Sequence, residues 1–244
     1  MSDKDRVALV TGGTQGLGAA TCRALQEHGF RVAASYLGEH RERAEAFREE
    51  SGIPVFAWDV ADREACRKGV AEVEEALGPV EVLVNNAGVN RDGMFHRMDP
   101  EDWDAVIRVD LGSMFNMCRQ VIGGMRERGY GRIVNLSSVN ASKGQVGQTN
   151  YCAAKAGVEG FTRALALESA SKGITVNALA PGYADTPMVA KVPDEIMERI
   201  VEQVPLHRLA EPREIARCVR FLVSEEAAFI TGEVLAVNGG LHMG

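Results

Sequence analysis

Tyr151 and Lys155 stand four residues apart in Thr149-Asn150-Tyr151-Cys152-Ala153-Ala154-Lys155, a stretch with helical patterning. On a helix this spacing puts both side chains one turn apart on the same face. A phenol with a pKa of about 10 is a sluggish acid and a poor base at neutral pH, but a neighbouring ammonium stabilises the phenolate and brings the pKa toward the working range. The pair therefore reads as proton-transfer chemistry. Thirteen residues before Tyr151, the apolar run Arg132-Ile133-Val134-Asn135-Leu136 ends at Ser137-Ser138. The Ser138 hydroxyl can donate to a substrate oxygen and hold it near the phenol. Taken singly these residues have ordinary uses: a polar strand end, an amphipathic tyrosine, a solvated lysine.

Near the N-terminus, Val7-Ala8-Leu9-Val10 runs into Thr11-Gly12-Gly13-Thr14-Gln15-Gly16-Leu17-Gly18, and a helical pattern follows at once. Glycines at 12, 16 and 18 permit a tight turn, close approach of the backbone to a pyrophosphate, and close packing of helix on strand. Phosphates would face free N–H groups and the positive end of the helix dipole. A dinucleotide held there implies hydride transfer beside the Tyr151 proton, with Lys155 also binding the nicotinamide ribose. At the end of Arg31-Val32-Ala33-Ala34-Ser35-Tyr36 no carboxylate awaits the adenosine ribose, and Ser35, His40, Arg41 or Arg43 could meet a 2′-phosphate. This favours NADPH over NADH. Glu39 competes, since it lies about twenty residues past the glycines, but it falls beyond the expected strand end. Asp59-Val60 and Asn85-Asn86-Ala87-Gly88 follow the next two apolar runs. Asp59 either accepts from an adenine amino group or caps the following helix, and Asn85 and Asn86 could brace strands beside the cofactor.

The elements that must position these groups alternate. Strands are expected at 6–11, 31–36, 54–58, 80–85, 131–137, 174–180 and 233–237, with helices over 16–28, 40–50, 62–77, 101–127, 150–172 and 212–224. Asp62 is the expected N-cap of the third helix, with Gly29 and Gly78 as stops. The alternation implies an α/β fold: one doubly wound Rossmann domain spanning 1–244, with a parallel seven-stranded sheet and helices on both faces. Around 181–211, Pro181, Gly182, Pro187, Pro193 and Pro205 break any long pattern, while Asp194–Gln203 could form a short helix. A segment covering the substrate would look like this, as would a plain surface excursion.

Bulk properties narrow the function classes. With 45% hydrophobic and 25% charged residues, a chain of 244 residues can build its core without disulfides or metal. A formal charge of −7 with no basic run argues against a nucleic-acid groove. Five scattered cysteines, with no C-x-x-C, fit reduced thiols in the cytoplasm and no zinc site. Met1 to Arg6 lead straight into an apolar strand, leaving no room for a signal peptide, and no apolar run approaches the ~20 residues of a membrane span.

Taken together, Thr11-Gly12-x3-Gly16-x-Gly18, Asn85-Asn86-Ala87-Gly88, Ser138, Tyr151-x3-Lys155 and Asn177 through Pro181-Gly182 make the chain resemble the short-chain dehydrogenase/reductase family over essentially its whole length. The resemblance implies that Ser138, Tyr151 and Lys155 form a catalytic triad, that Pro181, Gly182 and Thr186 lie near the nicotinamide, and that the assembly is a homotetramer. Two departures stand out. The family often carries a catalytic asparagine where this chain has Asp110, whose carboxylate cannot donate as an amide does; it could anchor a water in the proton path or alter the relay. Gln15 occupies a position that is arginine in many NADP-using relatives.

Within the family, Arg132 to Asn140, Lys143 to Tyr151 and the tail Asn238 to Gly244 are similar to members that reduce a 3-oxoacyl-CoA, acetoacetyl-CoA in particular, to the (R)-3-hydroxyacyl-CoA for polyhydroxyalkanoate synthesis. That likeness implies an acyl group surrounded by Gln145, Gln148 and Tyr183, with Asp92 and Arg97 near the CoA entrance. Val146 stands where a phenylalanine is expected and could enlarge the acyl pocket. Gln145 and Gln148 read equally well as an exposed polar loop. Two alternatives remain: a 3-oxoacyl-[acyl-carrier protein] reductase, with Arg126, Arg128, Arg163 or Lys172 in a docking patch, and a catalytically silent dinucleotide sensor, against which the intact Ser138, Tyr151 and Lys155 argue.

Overall fold

The computed structural model describes residues 5–187, 189–191 and 194–243; Met1 to Lys4, Pro193 and Gly244, which entered the reading above, lie outside them. Seven apolar runs form strands: β1 Val7–Val10, β2 Arg31–Tyr36, β3 Val55–Ala57, β4 Val80–Asn85, β5 Gly131–Leu136, β6 Ile174–Pro181 and β7 Val234–Val237. Every pairing is parallel, in the order β3-β2-β1-β4-β5-β6-β7. The chain reverses its winding between β1 and β4, so the loops after these two strands diverge and open a crevice at their carboxyl ends.

Alternating side chains feed two cores, because successive residues of a strand point to opposite faces. Ala8, Val10, Val82, Val84, Val134 and Leu136 pack beneath α1 (Gly16–Glu27), α2 (Arg41–Ser51) and α9 (Pro212–Val223). Val7, Leu9, Leu83, Ile133 and Val176 pack against α3 (Arg63–Leu77), α5 (Ser113–Arg128) and α7 (Thr149–Ser169). Fully burying one such leucine or isoleucine stabilises the fold by about 1.5–3 kcal/mol.

Two expectations are corrected. The single helix expected over 101–127 is divided into α4 (Pro100–Val106), a π-helical turn at Ile107–Gly112, and α5. A π turn is a rare, single-turn feature with no residue signature of its own, so the sequence pattern does not announce it. A four-residue helix, α6 (Asn140–Lys143), follows β5 unannounced. The short helix α8 does span Asp194–Gln203, and a bridge between Ala184 and Ala210 closes the base of that excursion. No helix among the described residues is long and apolar enough to cross a membrane.

Asp62 caps α3, its Oδ1 accepting from the N–H groups of Glu64 at 2.8 Å and Ala65 at 2.9 Å. Asp62→Ala leaves both donors to water and is expected to destabilise the protein by about 1 kcal/mol. Chemical denaturation checks this: the midpoint should fall with no change in slope.

Candidate active site

The crevice is assembled from the ends of β1, β4, β5 and β6. After β1, Gly16 holds φ +51°, a left-handed conformation that side chains disfavour, and Thr186 lies against it. A Cβ on Gly18 would sit 2.2 Å from the Gly12 carbonyl oxygen, so the helix must start with glycine. No side chain caps α1 and its first turn has no acidic residue. The loop of Thr11, Gly12, Gln15, Gly16, Leu17 and Gly18 thus leaves helix N–H groups free, which fits an anionic pyrophosphate.

Asn86 fastens this loop to β4: its Nδ2 donates to the Thr11 and Gly12 carbonyls at 2.9 and 3.1 Å, while Thr11 Oγ1 accepts from the Asn86 and Ala87 N–H groups. Asn85 is the strand brace, donating to Asn135 Oδ1 at 2.8 Å, and Asn135 in turn donates to Thr162 of α7. The helix cap is Asp62 and not Asp59, whose Oδ1 accepts from Ala61 N. Asp59 stays exposed beside buried Val60. Pro181 O accepts from Val139 N and Gly182 N donates to Val237 O, which pins the end of β6 between its neighbours.

At the adenosine end of the crevice one expectation is corrected. Ser35 is buried within the sheet, hydroxyl included, and is closed to a ligand. Strand alternation turns it inward. Arg41 is exposed at the start of α2, and Arg43 reaches over to hydrogen-bond Gln15 of the glycine loop. Arg43, rated no higher than its neighbours from sequence, is the cation the fold delivers to the cofactor loop. His40 lies 3.6 Å from Glu39, which occupies a 3-10 turn past the strand.

The proton-handling groups meet at the other end. Ser138, ending β5, shares a hydrogen bond with the Tyr151 side chain and accepts from Asn140 N at 3.1 Å. Lys155 is buried, its Nζ donating to Leu136 O at 3.0 Å and lying 3.2 Å from Asp110 Oδ2 and 5.4 Å from the Tyr151 ring centre. Asp110 is on the π turn, with no exposed surface, and its Oδ1 accepts from Val89 N at 2.8 Å. Asp110 and Lys155 thus form a buried ion pair.

Burial, more than this pairing, governs the phenol, although Lys155 pulls in the expected direction. Burial pushes Tyr151 above the ordinary tyrosine range; Lys155 and Ser138 pull it down, while Asp110 and Asp92 push it up. Burial likewise raises the Asp110 carboxyl against the pull of Lys155. For Lys155 burial works against the charge, yet the Asp110 carboxylate and the Tyr151 phenol together outweigh it and hold the ammonium above the usual lysine range.

The expected substrate contacts divide. Gln148 is corrected from ligand contact to brace: it is buried, its Oε1 accepting from Asn140 Nδ2 and its Nε2 donating to Asp92 Oδ2, both at 2.9 Å. Tyr183 hydrogen-bonds the same Asn140, a residue that sequence reasoning missed because a lone asparagine beyond a strand carries no pattern. Gln145 accepts from Lys143 Nζ. Val146 is 79% exposed, and Arg97 donates to neighbouring His96 on an exposed turn.

Comparison with known proteins agrees with this architecture. A family model described as enoyl-(acyl carrier protein) reductase matches residues 12–242. The chain is 58% identical over 238 residues to an acetoacetyl-CoA reductase of Rhizobium meliloti, covering 97% of this chain and 98% of that one. It is 48% identical over 244 residues to an acetoacetyl-CoA reductase of Cupriavidus necator, covering 98% and 99%. A 3-oxoacyl-[acyl-carrier-protein] reductase of Vibrio cholerae is 42% identical over 243 residues, covering both chains in full. Likeness this extensive, on a seven-stranded parallel sheet with a dinucleotide loop after its first strand, makes the chain an oxidoreductase that uses a nicotinamide cofactor and belongs to the short-chain dehydrogenase/reductase family.

Proposed function

We propose that the protein reduces acetoacetyl-CoA, a 3-oxoacyl-CoA, to the (R)-3-hydroxyacyl-CoA with NADPH, in the cytoplasm and as a homotetramer, supplying polyhydroxyalkanoate synthesis. The observation that carries the reading is one unbroken run of contacts: Asn86 on the glycine loop, Val89 on Asp110, Asp110 on Lys155, and Lys155 beside Tyr151. A hydride site and a proton site thereby share one crevice. The substrate class rests on the acetoacetyl-CoA reductases at 58% and 48% identity, against 42% for the carrier-protein enzyme.

In this reading Tyr151 gives its hydroxyl proton to the substrate oxygen and Ser138 donates to the same oxygen, polarising the carbonyl. The bound dinucleotide supplies the hydride. Lys155, fixed by Leu136 O and Asp110, directs its remaining N–H toward the nicotinamide ribose, while Thr11, Gly12, Gly16, Leu17, Gly18, Asn86, Ala87 and Gly88 line the dinucleotide's path. Asp59, Val60, Pro181, Gly182 and Thr186 complete it, and the excursion over 181–211 covers the substrate. Gln145, Tyr183, Asp92, Arg97 and Val146 flank the acyl-CoA side, where Val146 leaves the entrance wide. Arg41 and Arg43 supply the positive charge that a 2′-phosphate needs.

Initial rates with acetoacetyl-CoA and longer homologues, each with NADPH and NADH, should favour acetoacetyl-CoA and NADPH; faster turnover of the carrier-linked substrate would select the second reading. Tyr151→Phe should lower kcat by about 10²–10⁴-fold while NADPH binding, followed by fluorescence, is kept. Arg43→Ala should weaken NADPH binding by about 10-fold, as expected for a lost charge-assisted hydrogen bond, and leave NADH binding unchanged.

A further inference from the structure

A carboxylate sealed from water is costly to keep unless it is paired, and Asp110 is sealed and paired. One oxygen is used by Val89 N, a bond that an amide oxygen of the same shape would accept equally well. The other faces Lys155, and the loop after β4 packs onto it so closely that a Cβ on Gly88 would stand 2.7 Å from Oδ2. The packing fixes the shape at this position; the charge needs a separate reason.

That reason lies in what Tyr151 faces. Lys155 is on its own helix, Asp110 on the π turn, Ser138 at the end of β5, and Asp92 on the loop after β4. Asp92 is exposed and already receives the Gln148 amide, so solvent screens it. Asp110 and Lys155 are both buried, so water screens their fields at the phenol less than it screens that of Asp92.

We infer that Asp110 is a charge-setting and positioning residue: its carboxylate offsets part of the Lys155 ammonium as felt by Tyr151, which keeps the phenol protonated to higher pH. This rests on the reading of the enzyme as a carbonyl reductase, because reduction consumes the protonated phenol. The ionisation directions of the three groups agree with the geometry. The sign is definite. Reduction continues while Tyr151 holds its proton and fails as pH rises through the phenol's midpoint; removing the carboxylate leaves the ammonium unopposed and brings that midpoint down.

Asp110→Asn tests the inference by a direct titration that needs neither cofactor nor substrate. Phenolate absorbance is followed against pH in wild type and variant, each corrected by its Tyr151→Phe counterpart to subtract Tyr36, Tyr130 and Tyr183. The wild-type midpoint is expected at or above the ordinary tyrosine value of about 10. The Asn variant should titrate about 1 pH unit lower. The alkaline limb of kcat for reduction should move acidward by the same amount with KM unchanged. Equal midpoints, or a kcat reduced at every pH with its limb unmoved, would overturn the inference. Should the Asn variant fail to fold, the wild-type titration still decides: a midpoint below that of a free phenol means an uncompensated ammonium and ends the proposal. Absence of any 3-oxoacyl thioester reduction by the wild type would instead sink the functional reading, leaving the titration to judge Asp110 by itself.

Discussion

A buried ammonium governs the arrangement of the carboxyl end of this sheet. Moving such a group out of water costs several kcal/mol unless its protons and its charge are met. Here the Leu136 carbonyl meets a proton at 3.0 Å and the Asp110 carboxylate meets the charge at 3.2 Å. Each partner imposes a condition on a different part of the chain. Strand β5 must end where α7 begins its second turn, the π turn must carry Asp110 inward, and the loop after β4 must come close enough for Val89 to hold the other carboxylate oxygen. Loss of any one condition would strand a charge in the interior.

The sheet makes those conditions compatible. A parallel sheet with its switch point between β1 and β4 sends two loops apart, and a ligand crevice follows from the winding alone. Amide side chains then bind the loops to one another. Asn85 joins β4 to β5, Asn135 carries the brace on to α7, and Asn86 holds the glycine loop in place. Asn135 uses both ends of its amide in this way, accepting from Asn85 and donating to Thr162.

Beside Tyr151 a second polar chain runs from exposed Asp92 through Gln148 and Asn140 to Tyr183 and, by the Asn140 N–H, to the Ser138 hydroxyl. Gln148 spends both ends of its amide inside that chain and so acts as a brace. Side chains that look like ligand contacts in a motif can be structural once their hydrogen-bonding capacity is already consumed. Ser35 makes the same point at the adenosine end, where strand alternation buries a hydroxyl in a position otherwise suited to a phosphate.

Most of the framework was legible from local pattern. The seven strands lie within one residue of their expected bounds, Asp62 caps the third helix, and Asp194–Gln203 forms the helix the pattern allowed. The glycine spacing and the Tyr151–Lys155 repeat were equally readable, because strand period, helix period and turn chemistry are short-range properties carried by neighbouring residues. The π turn was invisible, since so rare a turn has no residue signature of its own, and so were the partners that decide charge. How far Asp110 offsets the pull of Lys155 on Tyr151 depended on two side chains forty-five positions apart being brought to 3.2 Å in a buried place. Residue type and spacing name the groups able to move a proton; long-range packing sets the field in which they do so, because electrostatic strength is a matter of distance and burial and neither is written locally in the chain.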